Sequence, residues 1–79
     1  MRNLAVVYEL NSDCDYDLFF ELLTALGGVP IHRYAWVLRD MSCTTEWLRR
    51  RLAKFVTRKD RIVVLELRAS ENLSFTTAR

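Results

Sequence analysis

Two groups of residues in this chain have the types and spacing for chemistry. The first is acidic. The apolar run Leu4-Ala5-Val6-Val7-Tyr8 ends on Glu9, and Asp13, Asp15 and Asp17 follow within a few positions. Carboxylates at a strand mouth are hard oxygen ligands for a divalent cation. Carboxylates in the first turn of a helix instead answer the positive end of its dipole. Asp13, Asp15 and Asp17 suit the second role. Glu9 precedes any helix, so it either pairs with Arg33, Arg61 or Arg68 on a neighbouring strand or belongs to a site. The second group is basic: Arg50, Arg51, Lys54, Arg58 and Lys59. Such a stripe follows a phosphate backbone without reading sequence, or it is a solvated helix face. Glu46 toward Arg50 is its nearest i,i+4 partner, so most of these charges are unpaired locally.

Other reactive side chains are sparse. His32 is the single histidine and has no evident acid or nucleophile beside it. Cys14 and Cys43 are isolated and read as free thiols of a cytoplasmic protein; a structural zinc site takes about four Cys or His ligands. Gly27-Gly28 holds the only glycines, too few for a phosphate-cradling loop. Tyr34 and Trp36 have rings able to stack on bases, but rings at alternating positions in an apolar strand more often belong to a core or a dimer interface. No apolar run approaches the roughly 20 residues that cross a bilayer. The N-terminus enters a strand-like segment with no small-residue cleavage site, so neither a membrane span nor a secretory signal is expected.

The elements that must position these groups follow from hydrophobic period. Residues 3–10 read as a central strand, with Leu4, Val6, Tyr8 and Leu10 on one face and Ala5, Val7 and Glu9 on the other. Residues 13–26 read as a helix capped by Ser12 or Asp13, burying Phe19, Leu22, Leu23 and Leu26, and stopped by Gly27-Gly28. Residues 30–39 are one long bent strand or two short ones. Residues 44–57 are a second helix, capped by Thr44 or Ser42, burying Leu48, Leu52, Phe55 and Val56, with Arg51, Lys54 and Arg58 aligned on another face. Residues 61–68 are a further strand. Residues 70–79, with Leu73 and Phe75 alternating, are an edge strand or a flexible tail. At 79 residues this is one domain. Its order is that of a ferredoxin-like split β-α-β sandwich of the α+β class, an antiparallel sheet with two helices on one face. The other face then needs cover, and a second copy of the chain is the natural source.

In that order, Val7-Tyr8-Glu9-Leu10-Asn11, Asp15-Tyr16-Asp17, Ala35-Trp36-Val37-Leu38 and Lys59-Asp60-Arg61-Ile62-Val63-Val64 resemble a known set of motifs. They are similar to the CRISPR-associated Cas-two family and its SinR-like and virulence-associated protein D relatives, over residues 4–68. The resemblance implies a ferredoxin-like homodimer packed sheet against sheet. It implies that the acid ending the first strand faces its mate across the dimer axis. In members with nuclease activity that pair holds one divalent metal, Mg²⁺ or Mn²⁺, for phosphodiester hydrolysis. Other members bridge duplex DNA without catalysis in antiviral defense. The family acid is Asp; here Glu9 stands in its place as the implied catalytic and metal-binding residue of a metal-dependent endonuclease.

Net charge sharpens the choice of partner. Residues 1–40 carry −3 and residues 41–79 carry +5. Charge split between halves points to complementary surfaces or an anionic partner. The expected function is a small homodimer that binds nucleic acid, duplex DNA or RNA, through the second helix. The alternatives are a protein-interaction or toxin-type module of a phage or mobile element, binding through its acidic first half, and a small-molecule regulator on the same fold.

Overall fold

The structure, a computed structural model, describes residues 1–67. Arg68 and the expected edge strand or tail around Leu73 and Phe75 lie outside the described residues. The elements are β1 (Arg2–Glu9), α1 (Asp17–Ala25), β2 (Val29–His32), β3 (Ala35–Met41), α2 (Thr45–Ala53) and β4 (Arg61–Leu67). The four strands form one sheet in the order β2-β3-β1-β4, and every neighbouring pair is antiparallel. The region read as one bent strand or two is two strands, β2 and β3, joined at Arg33-Tyr34.

The period-2 pattern of β1 decides where the core sits. Leu4, Val6 and Tyr8 are buried in one cluster with Phe19 and Leu23 of α1, Leu38 of β3, and Leu48 and Leu52 of α2. Each such side chain contributes about 1.5–3 kcal/mol by leaving water. Tyr8 is held by more than packing. Trp36 Nε1 donates to its hydroxyl at 3.1 Å, and that hydroxyl donates to the Arg33 carbonyl at 3.1 Å. Burial pushes the Tyr8 hydroxyl pKa up, against the lowering effect of the Trp36 bond. Register places Ala5, Val7, Val29, Val37, Val63 and Leu65 on the opposite face of the sheet. There Val7, Val29, Val63 and Leu65 are exposed.

Both helices are shorter than their hydrophobic patterns. α1 begins at Asp17, with Tyr16 as its N-cap and no capping side chain. Neither Ser12 nor Asp13, the expected caps, caps it: Ser12 Oγ accepts from Cys14 N upstream, and Asp15 Oδ1 accepts from Asp17 N at 2.8 Å. These local turns compete with helix. α2 starts as expected, with Thr44 Oγ1 accepting from Trp47 N at 3.0 Å. It stops at Ala53, after which Lys54 N and Phe55 N donate to carbonyls three residues back. Phe55 and Val56 still pack on the core from this tightened turn.

Gly28 marks where α1 is pressed against the sheet. A Cβ there would sit 2.8 Å from the Leu23 carbonyl oxygen and 3.0 Å from the Trp36 ring. Backbone cannot yield as a side-chain tip does, so Gly28→Ala is expected to destabilise the domain by about 1–3 kcal/mol. Chemical denaturation read at Trp fluorescence checks this.

Candidate nucleic-acid interface

The second half of α2 and its C-cap carry exposed basic residues. Arg50, Arg51 and Lys54 line one cleft of about 430 Å³ together with Thr44, Glu46 and Trp47. Within it, Arg50 Nε donates to Glu46 Oε2 at 2.8 Å. The same carboxylate oxygen takes Arg49 Nη2 at 3.4 Å. These exposed pairs are worth roughly 0–1 kcal/mol each. The Arg51 guanidinium lies 4.9 Å from the centroid of the Trp47 ring, which is itself substantially exposed. A cation over an indole face orders both groups. The arrangement offers phosphate-binding cations beside an aromatic surface, the pairing used on single-stranded nucleic acids.

Arg58 and Lys59 are not on this face. Because α2 ends at Ala53, both sit in the turn before β4, and Arg58 lines a second groove with Arg49 and Arg61. The expected alignment of Arg51, Lys54 and Arg58 along one helix is therefore split between two sides of α2. The sequence reading passed over Trp47 and Arg49. Trp47 stands four residues before Arg51, and that spacing was the available signal.

The turn carrying Arg58 and Lys59 is fixed by Asp60. Its Oδ1 accepts from Asn11 N at 2.6 Å and from the Tyr16 hydroxyl at 2.7 Å. Its Oδ2 accepts from Thr57 N at 2.7 Å and from Thr57 Oγ1 at 3.1 Å. Asn11 Nδ2 adds a bond to the Lys59 carbonyl at 3.1 Å. Desolvation raises the Asp60 carboxyl, but the bonds from Thr57, Asn11 and Tyr16 outweigh it and hold the pKa down at about 2. Tyr16 is pushed up to about 12, by desolvation first and then by its bonds to Asp60 and Cys14. A carboxyl held below its unfolded value of 3.8 stabilises the fold above that value. This contribution is expected to disappear as pH falls from there toward about 2. An acid titration of stability in wild type and Asp60→Asn measures it: the variant is expected to be less stable at neutral pH and to lose less across that window.

Glu9 is exposed at the end of β1, directly across from Arg61 in register. No ion pair within 4 Å joins them or links Glu9 to any other described residue. It lines a cleft of about 430 Å³ with Val7, Tyr8, Leu10, Asn11 and Tyr34. Among the described residues, no three His, Cys, Asp or Glu side chains come together in a way that would hold a metal ion. Asp13 and Asp15 are exposed in the loop before α1, and Asp17 lies in its first turn. Cys14 and Cys43 are both free, and His32 Nδ1 accepts from Tyr34 N at 3.2 Å. Among the described residues, no helix is long and apolar enough to cross a membrane.

Comparison with protein-family models, with curated proteins and with solved structures found no match.

Proposed function

We propose that this chain is a ferredoxin-like, Cas-two-like homodimer that binds nucleic acid through α2 and the turn after it. The observation that carries the reading is the cleft where Arg50, Arg51 and Lys54 surround the exposed Trp47. Arg51 and Lys54 have no carboxylate partner among the described residues, so their charge is available to phosphates. Arg58 and Lys59 extend the contact on a turn that Asp60 makes rigid. The strand order, and the shared cluster of both helices with the even-numbered residues of β1, support the ferredoxin-like part. The exposed Val7, Val29, Val63 and Leu65 support burial of the open sheet face against a second copy.

Binding without catalysis is the better supported form. Hydrolysis at Glu9 with Mg²⁺ or Mn²⁺ would require a second carboxylate from a partner copy, since one chain supplies one. The discriminating experiment compares two triple variants on short duplex DNA and single-stranded RNA. Alanine at Arg51, Lys54 and Arg58 is expected to weaken binding. Asparagine at Asp13, Asp15 and Asp17 is expected to leave it intact. A protein-interaction module working through its acidic half would give the reverse dependence with its own partner.

A further inference from the structure

We propose that the groove between the second half of α2 and the start of β4 is a phosphate subsite formed by Arg49, Arg58 and Arg61. The groove encloses about 540 Å³, within the roughly 300–1,000 Å³ typical of ligand sites. Its lining also includes Ala53, Val56 and Ile62, and Thr57 adds a hydroxyl. Arg49 and Arg61 stood outside the basic stripe read from the sequence; the fold brings them to Arg58 from three separate elements.

Charge decides what such a groove accepts. Three guanidiniums line it against one carboxylate, Asp60. That carboxylate is already committed, with two donors on each oxygen: Asn11 N and the Tyr16 hydroxyl on one, Thr57 N and Oγ1 on the other. It holds the turn in place, and its single negative charge leaves the three arginines in excess. Arg58 and Arg61 make no ion pair with any described residue, although Glu9 lies across from Arg61 in register. Arg49 shares Glu46 with Arg50 in the longer of the two contacts, 3.4 Å on the surface, and can release it at little cost. The planar guanidinium fork matches two oxygens of one phosphate. The volume exceeds what a single phosphate fills, so the group is presented by something larger, such as a sugar-phosphate. The inference rests on the nucleic-acid reading only for the carrier of that phosphate.

The test is a ¹⁵N NMR titration of the full chain, first with inorganic phosphate and then with a short single-stranded oligonucleotide. Saturable movement of the amides from Thr57 to Ile62 with phosphate is expected. Arg58→Ala and Arg61→Ala should each weaken the affinity about tenfold, in spectra whose dispersion shows the fold intact. Unmoved groove amides, or movement equally strong in both variants, would overturn the subsite. If the oligonucleotide binds while neither probe moves those amides, the subsite fails and the nucleic-acid reading stands. If phosphate titrates the groove and no oligonucleotide binds, the subsite stands for a small phosphate ester and the nucleic-acid reading fails.

Discussion

Phe19→Ala is expected to destabilise the domain by about 3–5 kcal/mol. Phe19 is wholly buried on the face of α1 that meets the sheet. Its ring stands edge-on to Tyr8 at 5.3 Å and to Phe20 at 5.1 Å. Removing it takes away the transfer energy of the ring, leaves a cavity, and ends two aromatic contacts worth about 0.5–1.5 kcal/mol each. A small domain has about 5–15 kcal/mol in all, so the variant should be partly or largely unfolded at 37 °C. Urea denaturation measures the loss. Leu18→Ala is the control: its side chain is 58% exposed one position away on the same helix, and the expected change is within about 0.5 kcal/mol. Equal effects at the two positions would contradict the packing described for α1.

Alanine at Arg51, Lys54 and Arg58 together should have the largest effect on binding. Each cation that neutralises a phosphate releases condensed counterions, and the slope of log affinity against log salt is about −0.9 per contact on duplex DNA. Losing three contacts should therefore flatten that slope by about 2.7 units and weaken binding most at low salt. The effect should be similar across sequences, because backbone contacts carry no sequence information. Arg51 has a second role through Trp47, so Arg51→Lys should keep the slope while loosening the indole. Isothermal titrations at several salt concentrations separate the two.

What could be read from sequence alone was whatever short-range pattern controls. The alternation in β1 identified Leu4, Val6 and Tyr8 as one face, and all three are in the core. The i, i+3, i+4, i+7 spacing of Phe19, Leu22, Leu23 and Leu26 found the packed side of α1, and Thr44 was found as the cap of α2. The helix ends were misread because the deciding partners are remote or compete locally. Asp15 and Ser12 form turns that delay α1 until Asp17. Phe55 and Val56 continue the apolar period past the end of α2, so burial there does not report helix. Asp60 gave no signal as the tie between two loops, since Asn11 and Tyr16 are more than 40 residues away in sequence. The same long-range folding moved Arg58 from the helix stripe to a groove with Arg49 and Arg61. Glu9 was legible as a carboxylate at a strand end, and the structure places it exposed at the end of β1.

The central claim is that this chain binds nucleic acid through its basic surface, and wild-type protein with short duplex DNA and single-stranded RNA across a salt series tests it most directly. The account predicts binding at low salt whose logarithm falls linearly with log salt, at a slope of several phosphate contacts. Absence of binding at the lowest salt, or affinity that does not change with salt, would contradict it.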